Sequence, residues 1–149
     1  MEYYDSENFI LSDETANKID ELSEIGNNFF DNDDFGKAID TWQKALSLIP
    51  SPHNCYAESV WLMTAIGDAY FFMNDFNTAY EYFENAYTNI SGAGLNNPFV
   101  LMRFGQCCFE RGIKDKALEY LFRAYTIDSK VFEYDDPKYI LFLKENGIS

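Results

Sequence analysis

Three glycines set at near-equal intervals constrain this chain more than any other feature. Gly26, Gly67 and Gly105 are separated by 41 and 38 residues, and each carries the same surroundings. The first segment reads Leu22-x-x-Ile25-Gly26-x-x-Phe29, followed by Ala38-x-x-x-Trp42, Ala45 and Pro50. The second reads Met63-x-x-Ile66-Gly67-x-x-Tyr70, then Ala79-x-x-x-Phe83, Ala86 and Ser91. The third reads Leu101-x-x-Phe104-Gly105-x-x-Cys108, then Ala117-x-x-x-Leu121, Ala124 and Ser129. Large residues three and four apart place an apolar stripe on one helix face. Small residues at a shared register let two helices cross closely, so Gly26/Ala38, Gly67/Ala79 and Gly105/Ala117 are read as three crossings. An internal repeat of this kind decides the architecture before any local reading does.

The breaks between helices carry matching signals. Asn32-Asp33-Asp34-Phe35 and Asn74-Asp75-Phe76 join the helices of the first two hairpins, with Asp34 and Asp75 as N-caps. Asn97 caps the third hairpin with Pro98 at the first helical position, and Asp136-Pro137 opens a final short helix. Ser51-Pro52 and Ser91-Gly-Ala-Gly separate the repeats. This spacing and residue pattern resembles the tetratricopeptide repeat (TPR). The expected fold is all-α: a TPR solenoid of three antiparallel helix hairpins plus a short C-terminal capping helix. The repeats fall at about 19–52, 60–93 and 98–131, with the terminal helix at about 137–145, inside one domain spanning 13–149. Residues 1–12 form an acidic lead that is either loose or adds a turn to the first helix. The third repeat departs most from the pattern, with Cys108, Lys114 and Leu121 where aromatics are usual, which predicts looser packing there. An open stack needs an end helix over its last apolar face, and 137–145 is read in that role.

Composition narrows the function. The chain holds 25 acids against 11 bases, a net charge of −14, and 18% of it is aromatic. A nucleic-acid binder needs a basic face, and an anionic membrane would repel this charge, so neither partner is expected. A basic protein is the natural charged partner. The N-terminus lacks the basic and apolar regions of a signal peptide, no stretch reaches membrane-span length, and Cys55, Cys107 and Cys108 suit reduced thiols, so a cytoplasmic location is expected.

Catalytic constellations are missing from the pattern. His53 is the one histidine and sits in a loop, no nucleophile–histidine pair or phosphate loop is present, and Cys107-Cys108 lacks redox spacing. Asp31-Asn32-Asp33-Asp34 imitates the start of a calcium loop, but an EF-hand would need oxygen ligands where Phe35 and Trp42 stand. No enzyme activity, cofactor, metal or small-molecule substrate is expected.

Resemblance to the TPR family also assigns a groove-facing set from the first helix of each repeat. The first repeat offers Asp20, Ser23, Glu24, Asn27, Phe30 and Asp31. The second offers Trp61, Thr64, Ala65, Asp68, Phe71 and Phe72, and the third Phe99, Met102, Arg103, Gln106, Phe109 and Glu110. Phe30, Phe71 and Phe109 share one register and fit packing as well as binding, whereas Trp61, Phe72 and Phe99 are harder to explain as packing. Chaperone-binding members of the family grip a partner's C-terminal carboxylate with lysines, asparagines and an arginine. This chain keeps Asn27 and Arg103 of that set but has Ser23, Ala65 and Phe99 at the other positions, so an acidic tail is not expected to bind. The stretches IGDAYFFMNDFNTAYEYF, NNPFVLMRFGQCCFERG and FEYDDPKYILFLKENG resemble small bacterial three-repeat proteins that act as antidotes to polymorphic toxins. Asn96 stands where those proteins usually have glycine. The resemblance implies an immunity protein that binds and neutralises a basic toxin domain. A cytoplasmic secretion chaperone holding an extended effector segment is the alternative.

Overall fold

The computed structural model describes residues 9–148 of the chain. These residues form seven α-helices in hairpin order: α1 (Asp13–Asp31), α2 (Phe35–Ser47), α3 (Ala57–Phe72), α4 (Phe76–Tyr87), α5 (Pro98–Glu110), α6 (Lys114–Ile127) and α7 (Pro137–Glu145). Short 3-10 turns at His53–Cys55 and Ser129–Phe132 precede α3 and α7. No strand occurs among the described residues. Residues 1–8 of the acidic lead lie outside the description. Beyond them, the Phe9 ring meets Tyr56 edge-on at 5.5 Å, Leu11 is buried, and the Ser12 hydroxyl accepts from the Thr15 N–H. The first helix therefore begins at Asp13, two turns earlier than the repeat pattern requires.

The caps act where their chemistry places them. Asp34 accepts from Lys37 N–H, Asp75 from Thr78 N–H, Asn97 from Phe99 and Val100 N–H, and Asp136 from Lys138 N–H. Each satisfies donors that a helix N-terminus leaves unpaired. The three hairpin turns repeat in hydrogen-bond detail. Asp34, Asp75 and Ile113 donate to Phe29, Tyr70 and Cys108 carbonyls, while Asp33, Asn74 and Gly112 donate to Phe30, Phe71 and Phe109. Asp33, Asn74 and Gly112 are all left-handed, with φ of 61°, 63° and 80°. That pairing is the Schellman closure of a helix C-terminus, and it uses residue types that tolerate positive φ.

At each crossing the glycine makes room for a large side chain on the partner helix. A Cβ on Gly67 would stand 2.9 Å from Phe83, and one on Gly105 would stand 2.8 Å from Leu121. Gly26 faces the Trp42 indole in the same way, and that indole donates its N–H to the Ser23 carbonyl at 3.3 Å. Ala38, Ala79 and Ala117 are completely buried one turn before these bulky residues. The third hairpin departs from its expectation of loose packing. Every residue from Val100 to Cys108 is buried, and Leu121 fills the position taken by an aromatic elsewhere. Burial raises both thiols of this helix, Cys108 to about 11 and Cys107 further.

The long connection after the second hairpin is pinned rather than open. Buried Asn89 donates to the Tyr56 carbonyl and the Ser59 hydroxyl, and the Ile90 N–H reaches the Asn54 carbonyl at 2.8 Å. Trp42 lies in the core and Asp34 serves as a cap, so the acidic turn between α1 and α2 is a helix junction.

Candidate protein-binding face

The first helices α1, α3 and α5 each carry a stripe of residues spaced four, three and four apart, which is one helix face. On α1 the stripe is Asp20, Glu24, Asn27 and Asp31; on α3 it is Trp61, Ala65, Asp68 and Phe72; on α5 it is Phe99, Arg103, Gln106 and Glu110. Each lies beside an aromatic, Phe30, Phe71 or Phe109, that turns inward at the hairpin joint. The three stripes meet very different fates.

The α1 stripe is open. Asp20, Glu24, Asn27 and Asp31 are all exposed, and none of the three carboxylates joins an ion pair among the described residues. On α3, Trp61 is 54% exposed and Phe72 49% exposed. Half-buried Ala65 and Asp68 lie between them on the same face, and the Phe72 ring packs on Phe30 at 5.7 Å and Phe35 at 6.3 Å. Thr64 is buried with its hydroxyl on the Val60 carbonyl.

The α5 stripe is closed, a correction to its expected role. Met102 and Gln106 are essentially inaccessible and Arg103 is only 7% exposed, so none of the three is presented to a partner. The Arg103 guanidinium is held at both ends. Its Nε donates to Asp68 Oδ1 at 2.5 Å and its Nη1 to Asp135 Oδ2 at 2.6 Å, with a further bond to Gln106 Oε1 at 2.8 Å. Gln106 Nε2 donates to the same Asp135 oxygen at 3.1 Å. The rings of Phe71, Phe72 and Phe99 pack around the cation at 4.9, 5.4 and 4.9 Å. A guanidinium is suited to this site because its planar fork serves two carboxylates while its faces stack on rings. Burial opposes the Arg103 charge, yet Asp68 and Asp135 hold its pKa above the ordinary value. Burial likewise pushes the Asp68 carboxyl up, with Arg103 pulling against it.

The lower end of the α5 stripe is taken by α7. Glu110 accepts from the Tyr139 hydroxyl at 2.7 Å and pairs with Lys138 at 2.5 Å. Burial and that bond to Glu110 raise the Tyr139 phenol. Phe109 packs on Tyr139 and Phe142 at 5.4 and 5.1 Å. Phe30 contacts Phe35, Trp42 and Phe72, and Phe71 contacts Phe76 and Phe72. The three aromatics of shared register are therefore half-buried packing residues. Phe99 is also half-buried, against the guanidinium. A cleft of about 350 Å³ remains where Phe71, Phe72 and Arg103 meet Tyr134, Asp135 and Lys138. Asp135 is the residue that sequence reasoning missed. It stands one position before a cap and has no repeat counterpart, so only its neighbour Asp136 was legible.

Charge follows the same division. Residues 1–97 hold 17 acids and 3 bases, whereas residues 98–149 hold 8 of each. The net charge belongs entirely to the part of the chain that carries the open stripes.

The tetratricopeptide repeat family model matches residues 62–89, covering most of α3 and all of α4. No curated protein matches the chain in sequence. Among solved structures, the Yersinia enterocolitica type III secretion chaperone SycD, in complex with a peptide of the translocator YopD, is similar with a TM-score of 0.70 and 13% identity. That match covers 90% of this chain and 95% of that one. The first TPR of Spaghetti (RPAP3), bound to an HSP90 peptide, has a TM-score of 0.67 and 20% identity over 87% and 90% of the two chains. The N-terminal domain of stress-induced protein-1 from C. elegans has a TM-score of 0.65 and 18% identity over 90% and 98%. With seven helices in hairpin order and these neighbours along nearly its whole length, the chain has the fold of a TPR solenoid.

Proposed function

We propose that this protein is a binding module that neutralises a bacterial toxin domain by covering a basic surface on it. The observation that carries the reading is the open face of α1 and α3. There, unpaired carboxylates stand beside two half-exposed aromatics, within residues 1–97, which hold all of the net charge. Large exposed rings make strong anchors once buried by a partner, and opposite charge speeds their encounter. The arrangement offers no nucleophile or acid–base pair, and its one deeply buried cation is satisfied internally. Toxin neutralisation rests on the resemblance of the three stretches named above together with this charge. Co-expression with the toxic domain encoded beside it is the test: the reading expects a stable complex and protected cells, and neither result without the other is sufficient.

A secretion-chaperone role is the second reading, favoured by the likeness to a chaperone seen with a translocator peptide. The two separate by competition. A chaperone releases its client to a short peptide, whereas a neutralising partner requires the folded toxin domain.

A further inference from the structure

The three-repeat groove of the fold is reduced here to two. Arg103 and Gln106 are buried against Asp68 and Asp135, and Glu110 is engaged by Lys138 and Tyr139, so the third stripe has no free polar group to offer. What stays open is a strip two helices wide, bounded on one side by Asp20, Glu24 and Asp31 and on the other by Trp61 and Phe72. Each stripe runs for twelve residues, about 17 Å of helix. The two helices meet at the C-terminal end of the strip, where Phe30 packs on Phe72 at 5.7 Å.

Resting on the reading of a basic protein partner, we propose that this strip takes a cationic amphipathic helix of about three turns, lying along α1 and α3. Its apolar face covers the half-exposed Trp61 and Phe72 rings. Its lysines or arginines reach Asp20, Glu24 and Asp31. Charge selects this occupant: the α1 side presents Asp20, Glu24 and Asp31, none of them in an ion pair among the described residues, and the α3 side is aromatic. The length and direction of the strip match a helix laid into a groove. An extended segment crossing it would span only two helices.

The chain supplies its own reporter. Of its two tryptophans, Trp42 is 3% exposed and Trp61 is 54% exposed, so a change in indole emission on binding reports on the strip. The probe is a synthetic leucine–lysine amphipathic helix of about four turns, titrated against the full chain. Its controls are the same peptide with glutamate for lysine and one interrupted by proline. The expected result is a blue shift of Trp61 emission, absent in Trp61→Phe and for the glutamate peptide, and strongly reduced for the proline peptide. The triple variant Asp20→Asn, Glu24→Gln, Asp31→Asn is expected to weaken binding about tenfold or more. The variant Asp40→Asn, Glu81→Gln, Glu119→Gln removes the same charge from exposed positions on α2, α4 and α6 and is expected to bind as the wild type does. Equal weakening by both variants would reduce the effect to general attraction and overturn the proposal. Equal binding of the proline peptide would replace the helix by an extended segment, and an unchanged Trp61 would move the site elsewhere. Co-expression protection by the wild-type chain is read independently of this titration, so loss of the strip and loss of the neutralising role are separable.

Discussion

Arg103 is the residue on which the inner surface turns. Its guanidinium ties α3 to α5 through Asp68 and ties the segment before α7 through Asp135. Truncation to alanine strands two carboxylates in a largely buried setting, and breaking such a pair by removing one partner costs about 3–5 kcal/mol. Arg103→Ala is therefore expected to lower the urea unfolding free energy by about that amount, while Asp20→Asn, on the open stripe, changes it by less than about 0.5 kcal/mol. Equal effects of the two would remove the distinction drawn between a closed and an open stripe. The paired thiols provide a second residue-scale test. With Cys108 pushed up to about 11 by burial and Cys107 beyond it, both stay protonated well above neutrality. Thiolate is the reactive form, so both are expected to resist a thiol reagent at mildly alkaline pH until the chain unfolds. Rapid labelling of the native protein would contradict their placement inside α5.

At the scale of elements, the hairpins are held by local chemistry that the sequence states openly. Asp34, Asp75, Asn97 and Asp136 are caps on sequence grounds and caps in the structure. Asp75→Ala is expected to cost about 1 kcal/mol in thermal or urea unfolding. The equivalent position of the third hairpin, Ile113, makes no side-chain cap and packs instead against the core under α5 and α6. The crossings were legible as well, because a glycine in fixed register with an alanine has few other readings in a helix. Two things were not. The helix start at Ser12 lies before the repeat begins, where periodicity has nothing to compare it with. The sealing of the third stripe depends on Asp135, on Tyr139 and on the direction in which α7 lies, and none of these has a repeat counterpart. That is also why Met102, Arg103 and Gln106 were read as surface residues: their register is that of a groove, and part of what covers Arg103 and Gln106, Asp135, comes from a single-copy segment. The looser packing expected of the third hairpin failed for a related reason. Leu121 fills the space over Gly105 without an aromatic ring.

For the whole molecule, the division of charge is the feature that gives the surface a direction. The first 97 residues carry 17 acids and 3 bases, and the remainder is balanced. A basic partner meets this field before it meets any particular side chain, so its association rate is expected to fall at least about tenfold between low and roughly half-molar salt. Dissociation, set by buried aromatic contacts, should change less. A salt-independent association rate would mean that the charge serves solubility alone. The central claim, that the aromatic wall of the first two hairpins is the contact surface, is tested most directly by calorimetric titration of the proposed toxin domain into wild type and Trp61→Ala/Phe72→Ala. Each ring buried by a partner contributes roughly 2 kcal/mol, so the account predicts a loss of affinity of at least about a hundredfold with helical content unchanged. Affinity equal to that of the wild type would contradict it.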